Sequence, residues 1–362
     1  MPENIAYKKN IHWINYVKAI CMIVIYYTHA QGFFKYTVLN LAKYLTPFYV
    51  NAFFFVSGYL FFRKQIPLLE ENDYLNLRNE RKRFLQNLLF RLVIPVLLFS
   101  VIEFVPASLV QGRVLSVMEF IEKTVWGGTY WFVSALVVAE LLVLVLTLTG
   151  IKNIFFYLAC SAAFFYAGRC MVLSGWIMMP SMEINPWYIE KGLLASLFLA
   201  VGGLYWKYEE QIDRVLKWYA VLPLLAVYIV LEYTCHDSIA IGIASGAINT
   251  AGALVSILSS VLLIRICKTI RKTNIMIKLL ENIGIYSIGF YFVCGAIPKL
   301  MVKVMPRFFP EGTLLYMLIG FVGSFVLAYV AVMLMNRFLP FLFDLRAGFQ
   351  IQNRTGPGQT SK

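Results

Sequence analysis

The chain has 362 residues, enough for two soluble domains, yet 60% of them are hydrophobic and only 14% charged, against about a quarter charged in ordinary globular domains. Mean hydropathy is +0.71, and apolar runs long enough to cross a bilayer recur along the whole chain. This excludes a soluble enzyme, a secreted disulfide scaffold, a disordered chain and a coiled coil. It predicts an all-α polytopic membrane protein.

About ten transmembrane helices are expected, over 13–30, 45–62, 89–110, 131–149, 154–172, 192–206, 218–234, 239–264, 282–301 and 313–338. The first has a short N-terminal flank and no small-residue cleavage site after it, so it reads as a retained helix rather than a signal peptide. If the N-terminus is cytoplasmic, 22 of the 32 Lys and Arg fall on that side and nine on the other, with Lys18 inside the first span. By the positive-inside rule both termini are then cytoplasmic. The net charge of +13 is accordingly an orientation signal and a contact for anionic membrane lipids, and nucleic acid drops out as a partner. Residues 1–349 read as a single membrane-embedded domain, and the polar, Gly/Pro-bearing stretch 350–362 as a disordered cytoplasmic tail. The Asn353 glycosylation sequon in that tail would face the cytoplasm and is discounted. Six cysteines are scattered without paired spacing, which argues against a disulfide framework and a zinc cluster.

No Walker loop, dinucleotide fingerprint, GxSxG elbow or HExxH occurs. Informative positions are therefore the polar and ionisable residues within apolar runs, each costly there without a partner or a task. The first span, IHWINYVKAICMIVIYYTHAQGF, carries Asn15, Lys18 and His29. Eleven residues separate Lys18 from His29, which places them within about 20° of one helix face and roughly 16 Å apart; Asn15 lies about 40° from His29. A neutral imidazole at the outer end has the chemistry of a general base toward a hydroxyl; the plainer reading is an interfacial His and a snorkelling Lys. The basic stretch RKRFLQNLLFRLVIP places Arg83 and Arg91 where guanidinium groups can hold a phosphate, although such loops also collect charge for orientation alone. Trp131 opens a span as belt aromatics do, and Glu140, two turns inside it, needs a partner or a wet cavity. His236 beside Asp237 would make an acid–base pair on the outer face or a merely solvated loop. Gly242 and Gly246 are spaced for close helix packing.

Four stretches in order, NYVKAICMIVIYYTH, NAFFFVSGYLF, FRLVIPVLLF, and GTYWFVSALVVAELL with NIGIYSIGFYF, resemble acyltransferase family 3. These are integral-membrane O-acyltransferases that modify cell-surface glycans and some small molecules. The resemblance implies that His29 is the catalytic histidine, that Lys18 stands for its usual basic partner, and that Arg91 and Arg83 face the phosphates of an acyl-CoA donor, acetyl-CoA above all. It places Ser57, Trp131, Tyr286 and Tyr291 around the cavity. Asn15 stands where relatives commonly carry Asp, Gln86, Asn87 and Leu88 where many have a double-Arg pattern, and Cys294 where a late His often follows. A glycan or lipid-linked sugar would be the acceptor, in the cell membrane, with a polysaccharide-synthesis complex as a further partner. The same intramembrane polar residues are compatible with a secondary transporter, for which no inverted halves are seen, and with a non-catalytic scaffold.

Overall fold

The computed structural model describes residues 11–35, 41–110, 116–176, 185–235, 248–270 and 274–347. Every regular element among them is helical. The tail beyond 347, His236, Asp237, Gly242 and Gly246 lie outside the described residues.

Helix α1 (His12–Phe33) leads into α2 (Ala42–Tyr49) and α3 (Asn51–Glu70), which run as one span from Tyr44 to Glu70. Helix α4 (Tyr74–Leu88), capped by the Asp73 carboxylate on the Asn76 amide, continues through a π-helical turn at Leu89–Val93 into α5 (Ile94–Val110). After the short α6 (Val117–Thr124), α7 (Trp131–Thr147) and α8 (Ile154–Leu173) form the next two segments. Helix α9 (Ile189–Lys207) follows a left-handed pair at Trp187 and Tyr188. Helix α10 (Glu209–Val215) meets α11 (Trp218–Cys235) at 84°. Helix α12 (Thr250–Lys268) starts on the side-chain cap of Asn249. Helices α13 (Ile275–Ile285) and α14 (Ser287–Val293) are bent by 70° across Tyr286, and α15 (Ala296–Val304) and α16 (Leu314–Phe338) complete the bundle.

Six helices are long and apolar enough to cross a membrane, or up to eight if each bent pair is one span. The remaining two of the ten expected segments are α7, only 17 residues long, and α1, whose polar residues lower its mean hydropathy. Segments expected to share a membrane side meet at one end of the bundle. Lys207 Nζ lies 2.8 Å from Glu70, Lys152 Nζ 2.8 Å from Asn72, and His12 Nδ1 2.6 Å from Glu281. At the opposite end the Trp187 amide donates to the Trp126 carbonyl at 2.8 Å and Lys299 Nζ lies 3.6 Å from Glu103.

Two backbone contacts pin the bundle. A Cβ on Gly58 would lie 1.9 Å from the Leu199 carbonyl oxygen, so α3 and α9 touch main chain to main chain. A Cβ on Gly284 would lie 1.9 Å from the Asn15 carbonyl oxygen, which joins α1 to α13 in the same way. Close approach of this kind is how helices associate where the surrounding lipid gives no hydrophobic drive.

Candidate active site

Beside these two clamped pairs lie three adjoining cavities. The first, of about 370 Å³, lies between α3, α4 and α7 and is walled by Ser57, Gln65, Glu80, Asn87, Arg91 and Glu140. The second, of about 180 Å³, is lined by Lys18, Phe53, Ser57, Phe132 and Tyr291 among others. The third, of about 960 Å³, takes in Lys18, Arg91, Tyr286, Asn336, Asp344 and Arg346. Ser57 borders the first and second, Lys18 the second and third, and Arg91 the first and third, so the three form one corridor.

The sequence builds this corridor from interruptions in apolar helices. On α7, Glu140 is buried and accepts a short hydrogen bond from the Ser57 hydroxyl of α3. This supplies the partner that a carboxyl in an apolar run requires. Lys18 projects from α1, and among the described residues it makes no hydrogen bond or ion pair; what it faces is the second and third cavities. Gln65, one turn inward of Phe61 on α3, is 1% exposed and its amide oxygen has no partner. Arg91 stands on the π-helical turn, a local widening that proteins use to re-aim a side chain. Its Nε donates to Asp344 at 2.9 Å, and Arg346 donates to the same carboxylate at 2.8 Å and to Asn87 at 2.9 Å. Partial burial pushes the Asp344 carboxyl upward, but the hydrogen bonds from Arg346 and Arg91 prevail and hold it at about 2.

The expected residues divide into two groups. Lys18, Ser57, Glu140, Arg91, Tyr286 and Tyr291 all border the corridor. The Tyr291 hydroxyl is fixed there by the Phe132 amide, which donates to it at 3.1 Å. Four residues stand apart from it. Asn15 is buried against Gly284, Arg83 is exposed beside Glu80 at 3.9 Å, and Trp131 lies under the Lys191 ammonium at 4.7 Å. His29 stacks on Phe33 with ring centroids 5.9 Å apart and has no hydrogen-bond partner among the described residues. Its neighbour Thr28 is bonded to Tyr49, one helical turn outward of the cavity-lining Phe53. His29 borders none of the three cavities.

Several participants carry no motif. Gln65 lies in an apolar run just as Glu140 does, and that was the available signal. Asp344 and Arg346 follow the last helix and reach Arg91 only through the fold. At the outer end Tyr130 donates to Glu103 at 3.0 Å, and Glu103 faces Lys299. No group of three or more potential metal ligands occurs among the described residues.

An all-helical membrane bundle with a polar corridor through its middle is a setting for group transfer across or within a bilayer. Comparison with protein families matches residues 11–333 to the acyltransferase domain of acyltransferase family 3. The chain belongs to that family, and the domain implies acyltransferase activity in a multi-pass membrane protein. No curated protein and no solved structure matches the chain.

Proposed function

We propose that the protein transfers an acyl group, acetyl foremost, from acyl-CoA to a hydroxyl of a cell-surface or lipid-linked glycan. The observation that carries this reading is Lys18, an ammonium without a protein partner at the junction of a guanidinium-lined cavity and an apolar one. A charge left unpaired inside a bundle is costly unless a ligand completes it. A thioester carbonyl has the polarity to do so, and CoA phosphates have the charge to engage Arg91. Arg83, exposed beside Glu80 at 3.9 Å, contributes to the basic surface at the donor's mouth.

In this reading the basic end faces the cytoplasm, where acyl-CoA is available, and the protein resides in the cell membrane. The donor enters beside Arg91 and Asn87, its pantetheine arm runs past Gln65 and the Ser57–Glu140 pair, and its carbonyl oxygen meets Lys18. The acceptor approaches from the opposite end. His29 takes the proton of the acceptor hydroxyl, the oxygen attacks the thioester carbon, the carbon–sulfur bond breaks, and CoA leaves as a thiol after protonation. Lys18 receives the carbonyl oxygen as the donor enters, and His29 acts on the thioester once it has moved outward along α1. Tyr286 and Tyr291 shape the walls, whereas Asn15 and Trp131 act through helix packing. Lys18 and His29 stand roughly 16 Å apart on α1, so the donor's acyl end moves outward from Lys18 toward His29, displacing the Phe53–Phe132 ring pair, whose centroids are 5.4 Å apart. Membrane lipids surround the bundle, and a polysaccharide-synthesis complex supplies the acceptor.

The test is transfer of radiolabelled acetyl from acetyl-CoA into membrane glycan by vesicles bearing the wild type or His29→Ala. Label incorporated by the wild type and lost in the variant is expected. Normal transfer by His29→Ala would remove the proposed base.

A further inference from the structure

A further cavity, of about 560 Å³, lies at the basic end of the bundle. Its walls are Trp13 and Tyr16 of α1, Tyr59 and Arg63 of α3, Trp206 of α9 and Lys268 of α12, among others, and none of its lining residues borders the corridor. Its chemistry is one-sided. Arg63 and Lys268 bring positive charge, and His12, paired with Glu281 at 2.6 Å, stands at its edge. The one carboxylate on the walls is Glu209, already engaged by the Tyr59 hydroxyl at 2.6 Å and by Lys268 at 2.6 Å. The Trp13 and Trp206 indole N–H groups and the Tyr16 hydroxyl make no hydrogen bond among the described residues, although Trp13 is only 9% and Tyr16 only 5% exposed. Buried indole and phenol groups ordinarily find a partner. The cavity therefore offers donors and positive charge but no uncommitted carboxylate, and a ligand rich in acceptor oxygens and negative charge completes it.

We propose that this cavity binds the headgroup of an anionic phospholipid of the phosphoglycerol type. The site is separate from acyl transfer and stands whether or not that reading holds. Its position favours a lipid over a soluble compound, because Trp and Tyr gather at the headgroup level of a bilayer. Basic pockets between spans on the positively charged side are where anionic headgroups dock. At roughly 30 Å³ for each water-sized group the cavity holds about eighteen heavy atoms, enough for the roughly fifteen of a phosphate flanked by two glycerols. The phosphate falls to Arg63, whose planar fork matches it. The glycerol and ester oxygens accept from Trp13, Trp206 and Tyr16. A choline or ethanolamine headgroup would bring an ammonium to a place whose carboxylate is spent and whose Trp13 face already carries Lys268 at 5.3 Å. The bound lipid ties α1 to α3, α9 and α12 at the end remote from His29, and so braces the helix that also carries Lys18.

The experiment measures Tm of the full chain in detergent micelles doped with phosphatidylglycerol or phosphatidylcholine, and in undoped micelles with soluble glycerol 1-phosphate. Phosphatidylglycerol should raise Tm by about 3 °C over phosphatidylcholine, the gain from a ligand held near saturation, and glycerol 1-phosphate should add little. Arg63→Gln should remove most of that shift. Tyr16→Phe and Trp206→Phe, which keep a ring and delete one donor each, should each reduce it. Arg214→Gln removes an exposed cation at the same end but outside the cavity and should leave the shift intact. Equal shifts in Arg63→Gln and Arg214→Gln would overturn the site in favour of general surface charge. If Arg63→Gln fails to fold, a full shift in both Tyr16→Phe and Trp206→Phe overturns it equally. Phosphatidylcholine stabilising as well as phosphatidylglycerol would remove the anionic headgroup, and a full shift from glycerol 1-phosphate alone would make the ligand a soluble phosphate and not a lipid.

Discussion

Two lysines of this bundle invite comparison. Lys268, at the basic end, donates to Glu209 at 2.6 Å, to Asp213 at 2.8 Å and to the Tyr205 hydroxyl at 2.9 Å. Its ammonium also lies 5.3 Å from the Trp13 ring centre and 4.9 Å from that of Tyr205. Arg265 shares Asp213 at 3.1 Å, and Tyr59 donates to Glu209 at 2.6 Å, so α1, α3, α9, α10 and α12 are tied together through one charge. Lys18, midway along α1, has none of this and faces open cavities instead. A satisfied buried charge is part of the scaffold, because removing one partner strands the rest. An unsatisfied one is costly unless a ligand completes it, which is the ground on which Lys18 is proposed as part of the site. The contrast separates structure from site without reference to any motif.

The strongest way to break this contrast is at the chemistry. His29→Ala should reduce acetyl transfer by about 10²–10⁴-fold, the range a general base supplies, with expression and thermal stability unchanged. Measured rates in vesicles against Tm in detergent check both halves. Lys18→Met should lower transfer by about 10²-fold, yet leave Tm unchanged or raise it, since an unpaired charge is replaced by an apolar chain of similar size. A loss of stability in Lys18→Met would show that Lys18 belongs to the scaffold after all. Lys268→Met should do the opposite, costing about 3 kcal/mol of stability while the fraction that remains folded keeps its specific activity. Arg91→Ala should raise the donor KM by about tenfold, in line with one charge-assisted contact to phosphate, with kcat little changed.

The smallest effect concerns Asp344. Its carboxyl is held at about 2 in the folded chain, below the ordinary value near 3.9. Its contribution to stability is therefore complete above about pH 4 and disappears as pH falls toward 2. Asp344→Asn should lower Tm between pH 5 and 8, with the variant and wild-type profiles converging as pH falls from about 4 toward 2. Because Arg91 is exposed and the cluster sits at the bundle's surface, the change should be a degree or two.

Much of the fold was legible in the sequence because burial in lipid demands long apolar runs: six to eight of the described helices are long and apolar enough to cross a membrane, and the expected segment 239–264 coincides with a helix from Thr250 onward. The breaks were not legible. Nothing in IGIYSIGFYF announces a 70° bend at Tyr286, where the main chain stays bonded locally, the Tyr286 amide to the Asn282 carbonyl and the Gly289 and Phe290 amides to the Tyr286 carbonyl. The site was legible where a polar residue interrupts such a run, as at Lys18 and Glu140. It was illegible where partners come from remote segments, as Asp344 does for Arg91. The basic residues at 207–217 and 265–278 read as orientation charge alone, whereas Arg265 and Lys268 with Glu209 and Asp213 make the firmest polar knot in the described structure. Counting charges by loop says on which side they lie and not what they hold.

The backbone contacts at Gly58 and Gly284 bear on how the enzyme works as a machine. Helices in contact through their main chains have no side-chain cushion to deform, so α3 with α9 and α1 with α13 each behave as a stiff plate. The corridor lies beside the plates, and Lys18 and His29 ride on one of them while Ser57, Glu140 and Phe53 ride on the other or beside it. A bulky residue at either glycine would shift a whole plate, and its damage would register at an active centre many residues away.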